Sequence, residues 1–173
     1  IQRSRGLGDV YKRQNYKQVM SEQTAYQVTT ILEGVIKRGT GKKLRDLQLN
    51  LAGKTGTTNE NTDAWFIGFT SNLVIGVYVG MDNPKPLGKF ETGSKAALPI
   101  FREFIEKSVK KSDARPFKVP KKMTLMVVDP LTGEKAKFNS KNTIIEAYKS
   151  KTVLNGKVLY SNNNRIDTNN ILK

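Results

Sequence analysis

The segment of residues 64–81 carries no charged residue, and it limits what this chain can fold into more than any other feature. Its length is close to the roughly 20 residues that a transmembrane helix needs. However, the turn formers Thr70-Ser71-Asn72 interrupt it, glycines punctuate it, and β-branched and aromatic residues make up most of the remainder. The pattern therefore predicts two buried antiparallel strands, at residues 63–70 and 73–81, rather than a membrane span.

The elements around this hairpin complete a compact unit. Residues 21–38 place apolar side chains at three- and four-residue spacing, with Ser21 as a suitable N-cap and Gly39 as a stop, so they predict a helix. A strand is predicted at residues 48–57, and a second helix at 95–111 with Pro99 near its first turn. The order helix, three strands, helix predicts an α+β fold in which helices flank an antiparallel sheet.

The composition changes after Lys111, which suggests a different organisation for the C-terminal part. Residues 112–122 are basic and contain proline, and short strands are predicted at 123–128 and 134–138, followed by a hairpin at 152–160 that turns at Asn155-Gly156. We therefore divide the chain into a main unit at 15–111, a linker with a small β-rich extension at 112–160, and a disordered Asn-rich tail at 161–173. Residues 1–14 show no helical or strand period and are interpreted as a non-native scar of sequencing or assembly, with a genuine basic loop as the alternative.

The composition also excludes several kinds of chemistry. The chain contains no Cys and no His, which excludes Ser-His-Asp catalysis, thiolate nucleophiles and sites in which Cys or His would bind a metal. We expect no cofactor and no metal. The net charge of +15 leaves a basic nucleic-acid-binding protein as an alternative, although the basic residues are spread along the chain and match no recognition motif.

The most informative motif is Lys54-Thr55-Gly56-Thr57, on the predicted strand 48–57. A peptide can add to the edge of a sheet through its main chain, and Gly56 would let that peptide lie close to the strand. Thr55 and Thr57 offer hydroxyl donors to a carboxylate, and Lys54 offers a positive charge. The backbone N–H after the glycine can help to hold an oxyanion. This set suits a peptide with a free C-terminal carboxylate.

Lys-Thr-Gly is one of the signatures of penicillin-recognising serine enzymes, and the flanks make the match more specific. They read RGTG at 38–41, DAWFIGF at 63–69, VGMDN at 79–83 and ETGSKAALPIF at 91–101. Together these motifs resemble the C-terminal part of the transpeptidase domain of class A, bifunctional penicillin-binding proteins of the 1A type. The resemblance covers residues 16–111 and continues more loosely to about 148.

The resemblance implies a D,D-transpeptidase that crosslinks peptidoglycan stem peptides ending in D-Ala-D-Ala and that β-lactams inhibit. It implies the fold of the serine β-lactamases and D,D-transpeptidases, here only in part. By motif match Lys54 takes a catalytic role, and Thr55, Gly56 and Thr57 bind substrate. The implied partners are stem peptides and β-lactams, with no nucleic acid. The implied location of the parent protein is the periplasmic face of the bacterial inner membrane, through an anchor upstream of this chain.

The chain departs from the family pattern in one respect. The family order is Ser-x-x-Lys, then Ser-x-Asn, then Lys-Thr-Gly, and neither of the first two motifs precedes Lys54. The matches by letter at 108–111, 140–142 and 161–163 all follow it and are interpreted as coincidental. We therefore expect a fragment that is inactive alone, from a parent that also carries a glycosyltransferase domain. A serine β-lactamase or carboxypeptidase relative is the remaining alternative.

Overall fold

The computed structural model of the chain describes residues 17–149 and the backbone of residues 153–154 and 157–158. Its first helix, α1, spans Glu22–Lys37, and the Ser21 side chain caps it by accepting a hydrogen bond from the backbone N–H of Thr24. The helix therefore begins and ends where the sequence predicts. None of the helices among these residues is long and apolar enough to cross a membrane.

Three strands form one antiparallel sheet in the order β1-β2-β3. They are β1 at Ala52–Thr57, β2 at Ala64–Phe69 and β3 at Val74–Val79. The uncharged segment is thus a β-hairpin, as predicted. Its turn at residues 71–72 is closed by a hydrogen bond from the Thr70 N–H to the Leu73 carbonyl.

Helix α2, at Leu98–Ser108, covers one face of this sheet. One turn of π-helix, Gly93–Ala97, precedes it, so the regular helix starts three residues later than predicted. Phe101 of α2 meets Phe66 of β2 edge to face, with ring centroids 4.7 Å apart. Both rings are fully buried. The core around them also contains side chains from α1, from the segment before β1, from the π-helical turn and from α2: Ile36, Leu44, Leu51, Ala97, Leu98 and Ile105.

The other face of the sheet is largely open in the part of the chain that the structure describes, although Phe117 covers its end at Phe69. It carries the alternate side chains of each strand, which point away from α2. Several are large and apolar yet exposed, with relative exposures of 41% for Trp65, 48% for Ile67, 70% for Val74 and 51% for Tyr78. Lys54 lies on this same open face, opposite Ile67.

An ion-pair cluster joins α2 to the short 3-10 helix Lys42–Leu47. The Arg102 guanidinium donates to both carboxylate oxygens of Asp46, each at 2.7 Å, and also to the Lys43 carbonyl. The Arg102 guanidinium lowers the pKa of the Asp46 carboxyl from its usual value, chiefly through this hydrogen bonding. The cluster fixes the segment that leads into β1.

The C-terminal extension corrects one prediction. Strand β4 at Met123–Val128 forms as expected, but its partner is β5 at Ile144–Lys149 and not residues 134–138. Within 134–138 only Lys135 makes an isolated bridge, to Val128. The prediction of a strand at 134–138 is therefore wrong. The large apolar side chain of this segment, Phe138, is fully exposed, so no burial of a large side chain favours a strand there.

Strand β5 was not predicted from the sequence. It pairs with β4 in the structure, where Ala147 is buried and Ile144 and Tyr148 pack against Met126 and Val128. The hairpin predicted at 152–160 is confirmed in the backbone, since β6 at Val153–Leu154 pairs antiparallel with β7 at Lys157–Val158. The interpretations of residues 1–14 and 161–173 lie outside the described residues.

The extension packs against α1, while the linker before it contacts the sheet through Phe117, whose ring centroid lies 5.6 Å from that of Phe69 on β2. The Gln27 side-chain amide donates to the Ala147 carbonyl at 2.9 Å, and the Gln23 amide donates to the Lys121 carbonyl at 3.0 Å. Arg38 and Glu146 form a weaker ion pair at 3.8 Å. Helix α1 therefore has the main core on one side and the extension on another.

Two glycines of the sheet give a test of the core. A Cβ at Gly68 would lie 2.6 Å from the Phe101 ring and 2.8 Å from the Phe66 ring, whereas a Cβ at Gly76 would meet nothing closer than 3.9 Å. We expect Gly68→Ala to destabilise the chain by about 1–3 kcal/mol through overpacking. Gly76→Ala, the matched control, should stay within about 0.5 kcal/mol of the unmodified chain. Urea unfolding of both variants measures this, and equal effects would contradict the packing described here.

Candidate substrate-binding strand

Strand β1 carries the Lys54-Thr55-Gly56-Thr57 motif and lies at the edge of its sheet. Only its side towards β2 is paired among the residues that the structure describes. The motif residues are partly or fully accessible, since Lys54 and Thr57 are exposed and Thr55 and Gly56 are half-buried. The strand therefore presents an accessible edge with its polar residues concentrated at the C-terminal end.

The hydrogen-bonding pattern between β1 and β2 decides which backbone groups of β1 point towards this free edge. The N–H of Thr58 donates to the carbonyl of Asp63 at 3.1 Å, and bonded pairs alternate along an antiparallel ladder. In the observed register the hydrogen-bonded pairs between β1 and β2 are therefore Gly56–Trp65 and Lys54–Ile67. The N–H and carbonyl groups of Thr55 and Thr57 consequently point away from β2 and towards the free edge.

Lys54 places its charge close to this edge. Its side chain extends from the open face of the sheet, and its Nζ donates to the Thr55 carbonyl at 2.7 Å. That carbonyl belongs to the free edge, so the ammonium group lies beside the backbone that a bound peptide would pair with. Lys54 therefore adds a positive charge to the row of edge amides.

The Thr57 hydroxyl is held by the turn that precedes α2. Its Oγ1 accepts a hydrogen bond of 3.0 Å from the backbone N–H of Gly93. Because the hydroxyl accepts here, its own proton remains available to donate to a ligand. A Cβ at Gly93 would collide with the backbone of Gly56 and with the Trp65 carbonyl, so only glycine permits this approach.

Thr55 has a comparable partner. Its Oγ1 lies 2.9 Å from the Oγ1 of Thr40, in the loop after α1. Sequence reasoning noticed Thr40 and Gly93 only as parts of flanking motifs and assigned neither a contact with β1. The local signal in the sequence is glycine: Gly39 and Gly41 flank Thr40, and Gly93 is itself the partner of Thr57. Glycine marks places where backbone segments can come close together.

The loop that follows the motif is organised by Asp63. Its carboxylate accepts from the Tyr78 hydroxyl at 2.7 Å, the Thr62 hydroxyl at 3.1 Å and the Thr58 hydroxyl at 3.2 Å. These hydrogen bonds, with that from Tyr78 the strongest influence, hold the pKa of Asp63 below its usual value. The Tyr78 ring in turn contacts Trp65 at a centroid distance of 4.7 Å.

The site favours an anionic ligand. Its groups are an ammonium, two hydroxyls and edge amides, which donate hydrogen bonds to anions rather than bind cations. No group of three or more acidic residues that could hold a metal ion occurs within the described ranges. The accessible edge, the charge and the donors together suit a carboxylate-bearing extended peptide.

The serines that match the nucleophile motifs by letter lie elsewhere. Ser108 is the last residue of α2, whereas Gly93, which contacts Thr57, lies before the first residue of that helix. The 11 residues of α2, about 16 Å of helix, lie between the turn that contains Gly93 and the end of the helix at Ser108. Ser140 lies in the loop before β5, where it accepts from the Lys137 N–H, and Ser161 is outside the described residues.

The comparison with known protein families agrees with this geometry. Residues 3–106 match the model of the penicillin binding protein transpeptidase domain. The chain belongs to the penicillin-binding protein transpeptidase family. The match contains α1, all three strands of the main sheet and most of α2, so the membership applies to the whole unit that positions the motif.

Individual relatives agree with this membership. The chain is 43% identical over 163 residues to penicillin-binding protein 1A of Rickettsia prowazekii, covering 94% of this chain and 19% of that protein. It is 37% identical over 135 residues to penicillin-binding protein 1A of Pseudomonas aeruginosa, covering 78% and 16% respectively. The chain thus spans about a fifth of the length of these curated relatives.

A solved structure shows the same fold. The crystal structure of penicillin-binding protein 1A from Haemophilus influenzae matches 76% of this chain with a TM-score of 0.67 and 28% identity, over 21% of that chain. The predicted α+β class and the predicted family are both confirmed. The roles of Lys54, Thr55, Gly56 and Thr57 remain predictions.

The Asp63–Tyr78 contact predicts a pH-dependent stability. Because the folded pKa of Asp63 is lowered and that of Tyr78 is raised, the contact stabilises the fold at pH values between the ordinary pKa of an Asp carboxyl and that of a Tyr hydroxyl. Its contribution is lost as the pH falls through the lowered pKa of Asp63 or rises through the raised pKa of Tyr78. Tyr78→Phe should therefore lower the melting temperature near pH 7 and lose this effect once the pH falls below the lowered pKa of Asp63. In an Asp63→Asn background the pH dependence of the difference should disappear; its persistence there would contradict this assignment.

Proposed function

We propose that this chain supplies the substrate-binding strand of a D,D-transpeptidase that crosslinks peptidoglycan stem peptides. The observation that carries the proposal is the edge of β1, where Lys54 and the hydroxyls of Thr55 and Thr57 surround edge amides with which no strand pairs among the described residues. Membership of the transpeptidase family supports it. In this proposal Lys54 has a catalytic role, and Thr55, Gly56 and Thr57 bind the substrate.

The geometry suits the end of a stem peptide. An extended peptide can pair with the outward-pointing N–H and carbonyl groups of Thr55 and Thr57 as an added strand. Gly56 has no side chain to hold the peptide away from the strand. The terminal carboxylate of D-Ala-D-Ala can then accept from the threonine hydroxyls beside the Lys54 charge.

The same edge can assist the acyl transfer. A serine of the complete enzyme would attack the carbonyl carbon of the penultimate D-Ala, forming an acyl-enzyme and releasing the terminal D-Ala. The amine of a neighbouring stem would then attack this ester, form the crosslink and release the serine. The Thr57 N–H points towards the free edge, where it can donate to the developing oxyanion. A β-lactam, which resembles D-Ala-D-Ala, would stop at the acyl-enzyme.

The complete protein is proposed to be a bifunctional, class A penicillin-binding protein of the 1A type. In that class the transpeptidase domain follows a glycosyltransferase domain and a membrane anchor. We place it at the periplasmic face of the bacterial inner membrane, where stem peptides are the substrates. The named relatives, all penicillin-binding proteins 1A, support this placement.

The proposal predicts the effect of two substitutions in a complete penicillin-binding protein that contains this segment. Lys54→Ala and Thr57→Val should each slow acylation by a fluorescent penicillin, on the order of a hundredfold or more, because each removes a donor that acts on the reacting ligand. Thr57→Ser, which keeps the hydroxyl, should retain most of the rate. Stopped-flow or gel-based labelling measures the acylation rate.

Lys85→Ala is the matched control for Lys54, since Lys85 is an exposed lysine in the loop after β3 and should leave the rate unchanged. Circular dichroism confirms that each variant is folded. Unchanged acylation in both Lys54→Ala and Thr57→Val would remove this strand from the active site and overturn the proposal.

A further inference from the structure

Thr40 lies outside the Lys-Thr-Gly motif but contacts it directly. Its Oγ1 is 2.9 Å from the Oγ1 of Thr55, 15 residues later in the chain. Thr40 is exposed, whereas Thr55 is half-buried. The contact therefore joins the loop after α1 to the proposed substrate strand at an accessible position.

The two glycines beside Thr40 explain why this loop reaches β1. The N–H groups of Gly39 and Gly41 both donate to the Val35 carbonyl, at 3.1 and 3.0 Å. A Cβ at Gly39 would lie 2.9 Å from the Val35 Cα, and a Cβ at Gly41 would lie 2.8 Å from the Ile36 Cδ1. The loop thus lies on the last turn of α1, and Thr40 follows a position, Gly39, where a side chain would collide with the backbone of that turn.

The single proton of each hydroxyl determines which of the two threonines must donate in the Thr40–Thr55 hydrogen bond. A threonine hydroxyl has one proton to donate and can accept up to two hydrogen bonds. If Thr55 donates its proton to a ligand carboxylate, the 2.9 Å contact persists as a hydrogen bond only when Thr40 donates to Thr55. The Thr57 hydroxyl has the same arrangement, because it accepts from the Gly93 N–H and keeps its own proton.

We infer that Thr40 is a positioning residue for ligand binding: its hydroxyl donates to Thr55 and so directs the Thr55 proton towards the carboxylate of the substrate or β-lactam. This inference rests on the proposed function, because it requires that Thr55 meets a carboxylate. Thr40 acts through Thr55 and has no part in bond making. Because Thr40 acts on the group that meets the ligand carboxylate and not on the reacting carbonyl, its loss should weaken binding more than it slows the acylation step.

The test is a set of variants in a complete penicillin-binding protein that contains this segment. Thr40→Val removes the hydroxyl with little change in shape, and Thr40→Ser restores it. Thr29→Val is the matched control, since the Thr29 hydroxyl donates only within α1, to the Ala25 carbonyl. Thr40→Val is also made in a Thr55→Val background. For each variant, acylation rates over a range of fluorescent penicillin concentrations give the half-saturating concentration and the maximal rate.

We expect Thr40→Val to raise the half-saturating concentration roughly three- to tenfold, the effect of losing one hydrogen bond, with a smaller change in the maximal rate. Thr40→Ser and Thr29→Val should stay near the unmodified protein. In the Thr55→Val background, Thr40→Val should add nothing further, because residues that act together are not additive.

Three outcomes would overturn the inference: an unchanged half-saturating concentration in Thr40→Val, a loss that Thr40→Ser does not restore, or a full additional loss in the Thr55→Val background. Failure of the proposed function gives a different pattern. In that case Lys54→Ala and Thr55→Val would themselves leave acylation unchanged. If those two variants lose activity and Thr40→Val does not, only the role of Thr40 is wrong.

Discussion

The burial of Phe66 against Phe101 is the interaction on which the arrangement of the site depends. In the observed register Phe66 stands opposite Thr55 on β1 and Val77 on β3, so these three side chains share the face that α2 covers. A shift of one residue would exchange the two faces of a strand and expose this ring. The register therefore places the threonine hydroxyls on the covered face and Lys54 on the open face.

This division determines what can contact each motif residue. On the covered face, the loop after α1 and the turn before α2 come close enough to hydrogen-bond Thr55 and Thr57. On the open face, Lys54 has room to fold back to the edge carbonyl of Thr55. The proposed substrate edge thus lies at the border between a packed layer, which orients the hydroxyls, and an accessible one, which holds the charge.

Glycine makes both hydroxyl contacts possible. Gly39 and Gly41 let the Thr40 loop lie on α1, and Gly93 lets the turn before α2 lie on the backbone of Gly56 and Trp65. At each place a Cβ would be closer to backbone or core atoms than side chains tolerate. The Thr57 hydroxyl is consequently held by a backbone N–H, and the Thr55 hydroxyl by a short side chain on a loop that lies against α1, which favours a preorganised site.

The sequence by itself determined the elements that depend on local pattern. Ser21 marked the start of α1, and Thr70-Ser71-Asn72 marked the turn of the β2–β3 hairpin, because capping and turn preferences act over a few residues. The Lys-Thr-Gly motif and its flanks also identified the family. Only the tertiary structure decided that β4 pairs with β5 instead of residues 134–138, and that Thr40 and Gly93 meet Thr55 and Thr57. These contacts join residues distant in sequence, and they depend on which side chains the packed core can bury and where two backbones can touch.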